Sequence, residues 1–548
     1  MPLVAEVVRQ RLLAWEIERV FGRPGEGADP LVEALRRGGD RPELVQPRHG
    51  EAAAFMAGAH AEFTGGIGCC LAPSGPGAVQ LLSGLYDARL DRRPVLALVG
   101  GAPSTQRVFL DAAEHCEVLT RPDQAARVVD RALWAARSRR GVAVVVLPTD
   151  LQDMDTAEAP GAVPAVMRHR LGPPADADEL RRAARLLNEA DRVALVVGPD
   201  ARDAREEVVR AAELLGAGVA KTLPGRDVVA DDMPFVTGCL GRYATPAAER
   251  LLHTCDAALV VGAGVTRDVW LPAGARPRCV EIAEDSAELP EGEYLFGDAR
   301  ATLRQLLPHL THKADRAWRA DVETRVSAWH EERRGEARQH FGHLINPAAV
   351  AVELDERLPE RAVLTADAGT STVWWARGLR LRHGMRALVS GTYAAMGTAV
   401  PYALAARLAH PDRPVIAFVG DGALQMSGLA ELVTVKDLLP RLAGGPPLVF
   451  CVFHNQDLNQ ATWDRRAATG NPRLPSAASV PAVPYAEYAR LLGLEGIRCE
   501  RPGKIGESWD AALAADRPVV LEFLVDAEIQ PPAAEPRPGK GLFGGRRR

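Results

Sequence analysis

An aspartate and an asparagine stand at the ends of two apolar runs in the last third of the chain. Asp421 lies between Gly420 and Gly422, and Asn455 ends the next apolar run. Carboxylate and amide oxygens suit a hard cation such as Mg²⁺, which takes few protein ligands and completes its octahedron with phosphate and water. The backbone N–H groups of the glycine turn and of Ala423, at the start of a helix, would bind that phosphate.

The spacing of apolar residues predicts a strand–helix–strand unit around these two residues. Residues 415–419 are apolar and β-branched, residues 424–435 carry leucine and valine at helical spacing, and residues 448–453 are apolar again. Open α/β sheets bind ligands at the carboxyl ends of their strands. The alternative is that Asp-Gly marks an ordinary turn, but the helical pattern that follows favours a strand-to-helix connection.

The stretch 414–459 resembles the diphosphate-binding signature of thiamine-diphosphate enzymes, which runs from Gly-Asp-Gly to a pair of asparagines. His454 replaces the first asparagine of that pair in this chain. The resemblance implies that Asp421 and Asn455 bind Mg²⁺ through their side chains. It also implies that Asp457 binds the same ion through its backbone carbonyl.

Two earlier segments match the same family. Thr370 and Ser371, which follow a short apolar run, would contact the diphosphate. Gly391 lies in the segment whose backbone would hold the aminopyrimidine, and Met396 is the bulky apolar residue that would support the bent cofactor. From the residues alone, the alternatives are a helix N-cap at Thr370 and core packing by Met396.

The segment 48–100 is similar to the pyrimidine-binding domain of the pyruvate oxidase and acetolactate synthase group, with one departure. Relatives carry a catalytic glutamate directly after an Arg-His pair, whereas Gly50 follows His49 here and Glu51 comes next. That carboxyl would bond a pyrimidine ring nitrogen and assist proton removal from the cofactor. Glu51 is the candidate catalytic residue, although one helical step turns it by about 100°. The alternative is a first-turn glutamate that interacts with the helix dipole.

Repeated strand and helix patterns predict an α/β protein with three doubly wound parallel-sheet domains. We expect a pyrimidine-binding, a central and a diphosphate-binding domain. The expected divisions are an N-terminal domain at 1–155, a linker at 156–180, a central domain at 181–312, a helical connector at 313–344, a C-terminal domain at 345–530 and a disordered basic tail at 531–548.

The central domain binds FAD in some relatives and nothing in others. Gly262-Ala263-Gly264 lacks the third glycine of a dinucleotide fingerprint. Ala244 replaces a glycine of the loop that approaches a flavin phosphate in relatives. FAD stays possible, and Ala244 favours its absence.

Composition excludes several classes of function. The chain has 548 residues and a formal net charge of −5, which gives no footprint for nucleic acid. Its eight cysteines are scattered without a CxxC pair, as expected of reduced thiols in a cytoplasmic protein. No apolar run approaches the roughly 20 residues that span a bilayer, so we expect no stable membrane insertion.

The resemblance implies an enzyme dependent on thiamine diphosphate and Mg²⁺ that decarboxylates a 2-oxo acid and passes the enamine to an acceptor. Pyruvate is the expected substrate, because the segments 390–426 and 459–463 look most like the pyruvate oxidase branch. An acetolactate synthase-like carboligase is one alternative, and a non-catalytic scaffold homologue that has lost the glutamate is another. A homodimer or homotetramer with active sites at subunit interfaces is also implied.

Overall fold

Three six-stranded sheets form the framework of the protein, and every strand pairing in them is parallel. The computed structural model describes residues 1–39, 41–156, 175–263, 271–284, 292–339, 342–471 and 473–532. Helices cover the sheets, so the predicted α/β class with three doubly wound domains is confirmed.

The first sheet has the strand order β2-β1-β3-β4-β6-β5. Its strands are β1 (Arg19–Gly22), β2 (Glu43–Val45), β3 (Gly68–Ala72), β4 (Val95–Gly100), β5 (His115–Val118) and β6 (Val142–Leu147). The helices of this part are α1 (Val4–Ala14), α2 (Asp29–Arg37), α3 (Gly50–Thr64), α4 (Pro76–Gln80), α5 (Leu82–Leu90), α6 (Ala125–Arg139) and α7 (Thr149–Gln152).

The second sheet has the order β12-β11-β10-β7-β8-β9, which is the strand order of dinucleotide-binding folds. Its strands are β7 (Val193–Val197), β8 (Gly218–Lys221), β9 (Val236–Cys239), β10 (Ala257–Val261), β11 (Arg278–Ala283) and β12 (Glu293–Phe296). Its helices are α8 (Ala177–Glu189), α9 (Arg205–Leu215), α10 (Pro246–Thr254) and α11 (Ala299–Leu306), and α12 (Ala317–Ala337) leads to the third sheet.

The third sheet, β14-β13-β15-β16-β18-β17, repeats the arrangement of the first. Its strands are β13 (Val363–Ala366), β14 (Arg386–Val389), β15 (Val415–Gly420), β16 (Leu448–His454), β17 (Glu495–Cys499) and β18 (Val519–Leu524). Its helices are α13 (Pro347–Arg357), α14 (Thr370–Gly378), α15 (Ala399–Ala409), α16 (Asp421–Ala423), α17 (Leu429–Asp437), α18 (Leu439–Leu442), α19 (Asn459–Thr469), α20 (Pro475–Ala478), α21 (Tyr485–Leu491) and α22 (Ile505–Ala514).

Helix α3 joins the first and third sheets in one hydrophobic core. Most of its residues are buried, from Gly50 to Phe63, because alanine and glycine on every side let neighbouring helices approach. Helix α15 packs against it, and apolar side chains of β4, α3, α15 and β15 form one continuous cluster. The N-terminal and C-terminal parts of the chain are therefore held together along this helix pair.

The segment after β16, residues 459–479, contains helices α19 and α20. Most of the expected linker (157–174) and of the expected tail (533–548) lies outside the described residues. None of the helices that the structure describes is long and apolar enough to cross a bilayer.

Candidate functional site

Strands β15 and β16 are neighbours, with Gly420 opposite Phe453, so both end at the same edge of the third sheet. Asp421 opens α16 at that edge. Its Oδ2 accepts hydrogen bonds from the backbone N–H groups of Asn455 at 3.0 Å and Gln456 at 2.6 Å, and its Oδ1 accepts one from Gly422 at 2.8 Å. The structure thus brings the predicted metal ligands Asp421 and Asn455 side by side.

The donor set fits a hard divalent cation bound together with a phosphate. The Asn455 side-chain oxygen accepts from the Asp457 N–H at 3.1 Å, which fixes the amide beside the aspartate. No group of three or more His, Cys, Asp or Glu side chains with metal-binding geometry occurs among the described residues. A cation here would take few protein oxygens and fill its shell with phosphate and water, as Mg²⁺ does. Burial raises the pKa of Asp421 to about 6, and a bound cation would favour the carboxylate.

The Asp457 carboxylate is engaged with the following segment. It accepts hydrogen bonds from Thr462 Oγ1 at 3.0 Å and Arg473 Nε at 2.9 Å, and Asn459 Nδ2 donates to it at 3.2 Å. These bonds attach α19 and the chain after it to the tip of β16. Metal binding by the backbone carbonyl of Asp457 stays a prediction.

The start of α14 adjoins the glycine turn after β15. Gly369 precedes the helix with φ 128° and no side chain caps it. Ser371 Oγ donates to the Asp367 carbonyl at 3.0 Å, and a Cβ placed on Gly420 would lie 3.9 Å from that hydroxyl. Thr370 and Ser371 therefore share one edge with the turn that contains Gly420, Gly422 and Ala423, where their helix starts could bind phosphate oxygens.

The segment with Gly391 and Met396 borders the same edge. A π-helical turn, Leu424–Gly428, follows α16, and a Cβ on Gly397 would lie only 1.8 Å from Ser427 Oγ. Met396 is 41% exposed, so the alternative of a core methionine is wrong. Gly391 is needed because its backbone approaches Pro224 of the central domain, whose Cγ would lie 2.5 Å from a Cβ.

Asp367, a residue with no role predicted from the sequence, directly follows β13 as Asp421 follows β15. It is fully buried, and its Oδ1 accepts from the N–H groups of Gly397 at 2.7 Å and Thr398 at 3.0 Å. Its Oδ2 is buried without a partner among the described residues. Burial raises the pKa of Asp367 to about 7. The strand-end rule that selected Asp421 would have selected it too.

His454 takes a different role from the asparagine that it replaces. Its Nδ1 lies 2.7 Å from Glu522 Oε1, and its ring packs edge-on against Tyr485 with centroids 5.1 Å apart. Its Nε2 is buried without a partner in the described part of the chain. No local signal pairs residues 454 and 522, which lie on adjacent strands but far apart in sequence.

Gly50 and Glu51 open α3, where the neighbouring turn is anchored to α17. The N–H groups of Arg48 and His49 each donate to Glu431 Oε1 at 3.0 Å, and the Glu51 N–H donates to His49 Nδ1 at 3.3 Å. Within the described residues, no hydrogen bond or ion pair links Glu51 to the tips of β15 and β16. The catalytic role of Glu51 stays a prediction.

The space that a side chain at position 50 would need is occupied. A Cβ on Gly50 would lie 2.7 Å from Gln80 Cβ and 3.2 Å from Gln80 Oε1. Gln80, at the end of α4, thus stands where a carboxylate on residue 50 would project.

The switch point of the second sheet lies between β7 and β10, where doubly wound folds bind nucleotides. A Cβ on Gly198 would lie 2.3 Å from the carbonyl oxygens of Gly262 and Ala263. Ala244 is buried, and its carbonyl accepts a hydrogen bond from Arg377. The described loops after β7 and β10 thus pack closely on one another; the predicted Gly264 lies outside the described residues.

Comparison with known proteins agrees with this geometry. Residues 3–126 match the model for the N-terminal TPP binding domain of thiamine pyrophosphate enzymes, residues 180–306 the model for their central domain, and residues 367–523 the model for their C-terminal TPP binding domain. Together the three matches span most of the chain.

Similar proteins match over nearly the whole length. A Bacillus subtilis protein, described only provisionally as thiamine pyrophosphate-containing, is 29% identical over 98% of this chain and 93% of its own. The pyruvate oxidase of Lactiplantibacillus plantarum is 26% identical over 98% of this chain and 90% of its own. Acetolactate synthase 3 of Brassica napus, a chloroplastic protein, is 27% identical over 95% and 83%.

Proposed function

Because the chain belongs to the thiamine pyrophosphate enzyme family, we propose that it binds thiamine diphosphate with Mg²⁺ and decarboxylates a 2-oxo acid, pyruvate first. One observation carries the proposal. Asp421 and Asn455 meet at adjacent strand tips, where the Asn455 backbone N–H donates to Asp421 Oδ2 at 3.0 Å. A cation bound at these strand tips would offset the cost of burying the Asp421 charge.

The chain's own residues would hold the cofactor from three sides. Asp421 and Asn455, with the Asp457 carbonyl, would bind the cation that bridges to the diphosphate. Thr370, Ser371 and the turn Gly420–Ala423 would donate to the phosphate oxygens. Gly391 and Met396 would hold the pyrimidine end. When bound, the cofactor supplies the positively charged thiazolium that accepts electrons from the decarboxylated substrate.

Release of CO₂ from pyruvate tests this proposal. The full-length protein with thiamine diphosphate and Mg²⁺ is expected to release CO₂, and omission of either is expected to abolish the release. A protein that binds the cofactor and turns over no 2-oxo acid would refute the catalytic proposal.

The acceptor separates an oxidase from a carboligase. Similarity to a pyruvate oxidase and to acetolactate synthases supports both branches. Consumption of a quinone or of a phosphate acceptor would support the oxidase branch. The resemblance of segments 390–426 and 459–463 to pyruvate oxidases favours this outcome. Formation of acetolactate from two pyruvates would support the carboligase. Flavin absorbance in the purified protein would overturn the expectation that FAD is absent.

One observation favours a non-catalytic scaffold as the second candidate function. Gln80 fills the space beside Gly50 where relatives would carry the activating carboxylate. A scaffold would bind thiamine diphosphate and release no CO₂. Turnover with any 2-oxo acid would exclude it.

We also propose a homodimer or homotetramer with active sites between subunits. Val79, Leu110, Met396 and Met426 are 50%, 60%, 41% and 53% exposed. Val79 precedes Gln80, which neighbours Gly50, and the two methionines lie beside the C-terminal site, so exposed apolar side chains lie near both halves of the proposed active site. Light scattering after gel filtration tests this, and a monomer that retains full turnover would refute it.

A further inference from the structure

The segment Ser390–Thr398, between β14 and α15, has no regular secondary structure and includes Ala394 at φ 56°. Side chains hold its backbone instead. At its far end, Asp367 accepts the N–H groups of Gly397 and Thr398. Because strands and helices do not fix this segment, its shape depends on those side chains.

The near end of the segment is held by the N-terminal part of the chain. Asp91 Oδ2 accepts from the Gly391 N–H at 3.0 Å, and Asp91 Oδ1 accepts from the Thr392 N–H at 2.9 Å. Asp91 caps α5, a helix of the first domain. One carboxylate therefore fixes two successive peptide groups of a distant segment.

Helix α5 makes two more contacts with the same segment. Ser390 Oγ donates to Asp87 Oδ1 at 2.5 Å and accepts from the Ala395 N–H at 2.9 Å. The ring of Tyr86 stacks on Tyr393, with centroids 6.1 Å apart and an interplanar angle of 24°. These contacts and those of Asp91 come from one short stretch of chain, residues 86–91. We call this stretch, together with Arg93, the clamp.

Arg93 links the two aspartates of the clamp to each other and to the end of β14. Its Nη2 donates to Asp91 Oδ2 at 2.7 Å and to the Val389 carbonyl at 2.9 Å, and its Nη1 donates to Asp87 Oδ2 at 2.9 Å. The side chains of Arg93, Asp87 and Asp91 are 3%, 1% and 4% exposed. Buried charges that are paired in this way resist rearrangement, because breaking one pair leaves a charge without a partner.

We propose that Asp91, with Asp87 and Arg93, is a positioning group that holds Gly391–Met396 in its ligand-binding shape before the cofactor arrives. The inference rests on the proposed function, since Gly391 and Met396 are the proposed contacts of the pyrimidine end. A protein whose binding-competent shape is only partly populated binds more weakly by that fraction. The N-terminal domain thus contributes to cofactor affinity through its own chain's C-terminal segment.

Hydrogen exchange on the full chain without cofactor tests the clamp directly. Asp91→Asn keeps the size of the side chain and removes the charge that Arg93 and the two N–H groups share. Peptides that cover 389–398 are expected to exchange about tenfold faster in Asp91→Asn, because their hydrogen bonds weaken. Unchanged exchange there would overturn the inference.

Asp355→Asn is the matched control. Asp355 is buried to the same degree and accepts from the Arg380 N–H at 2.7 Å and from Arg333 Nη2 at 2.9 Å, within α13 and its surroundings. This variant is expected to lower the melting temperature as Asp91→Asn does and to leave exchange in 389–398 unchanged. Equal acceleration in both variants would show general loosening and overturn the inference.

Calorimetric titration with thiamine diphosphate and Mg²⁺ gives the functional readout. Asp91→Asn is expected to bind about tenfold more weakly than wild type, and Asp355→Asn within about twofold. Ser390→Ala is expected to weaken binding, and Ser390→Thr, which retains the hydroxyl, to restore it. Wild-type affinity in Asp91→Asn would overturn the inference. Absence of binding by the wild type would instead refute the proposed function, and the exchange comparison would still decide the clamp.

Discussion

Replacement of Asp367 by asparagine is predicted to change the pH dependence of stability. The carboxyl is fully buried, and the pKa of Asp367 is raised to about 7 by burial, against an ordinary value of 3.8. The folded protein therefore holds this proton more tightly than the unfolded chain does. Stability is unaffected below pH 4, falls as pH rises from about 4 to about 7, and stays lower above that.

The size of the effect follows from the pKa difference. Roughly three units at about 1.4 kcal/mol each amount to roughly 4 kcal/mol of lost stability at pH 8. Asparagine has no charge to bury, and its Oδ1 can still accept the N–H groups of Gly397 and Thr398. The amide nitrogen of the variant would take the position of Oδ2, where no hydrogen-bond partner lies among the residues that the structure describes. The unpaired amide would lower the stability by about 1–3 kcal/mol at every pH. The stability of Asp367→Asn relative to wild type should thus rise by about 4 kcal/mol between pH 4 and pH 8.

Melting midpoints of the cofactor-free protein between pH 4 and pH 8 provide the assay. Asp227→Asn is the control of opposite sign. Although burial opposes it, Arg202 and Arg386 lower the pKa of Asp227 to about 2. Wild type holds that stabilisation above pH 4 and loses it only as pH falls through about 2, so the Asp227→Asn deficit should stay constant from pH 5 to pH 8. A difference between Asp367→Asn and wild type that is equally flat would show that Asp367 ionises normally and refute the reasoning.

Three further substitutions test the site. Asp421→Ala removes the proposed cation ligand and is expected to abolish Mg²⁺-dependent binding of thiamine diphosphate in calorimetry; full affinity would refute the metal assignment. Glu51→Gln is expected to lower CO₂ release by about 10²-fold if Glu51 supplies the acid–base carboxyl, and unchanged turnover would exclude it from that role. Gly50→Glu is expected to lower the melting temperature, because its Cβ would lie 2.7 Å from Gln80 Cβ; Gly50→Glu with Gln80→Gly, which removes that Cβ, should melt higher than Gly50→Glu alone, and equal melting of both variants would show that Gln80 does not fill that space.

The parts of the fold that local patterns encode could be predicted. Apolar runs and helical spacing placed β15, α17 and β16, and the parallel arrangement follows from helices between successive strands. The rule that side chains at the carboxyl ends of strands converge also placed Asp421 beside Asn455.

Contacts between distant segments could not be predicted in the same way. Nothing near Gly50 indicates that Gln80 occupies its side-chain space, and nothing near Ser390 indicates that Asp87 and Asp91 hold it. Such pairs depend on how α3, α5 and α15 pack, which is a property of tertiary structure. Asp367 differs from these pairs, because its position could have been predicted. It follows a strand as Asp421 does, although the resemblance pointed only to its neighbours Thr370 and Ser371.

Binding of thiamine diphosphate to the wild-type chain, with and without Mg²⁺, tests the central claim most directly. With the two strand tips sharing one cation, calorimetry should show one cofactor bound per chain in Mg²⁺ and none when a chelator replaces it. Equal affinity in both conditions, or no binding at millimolar cofactor with Mg²⁺, would contradict the claim.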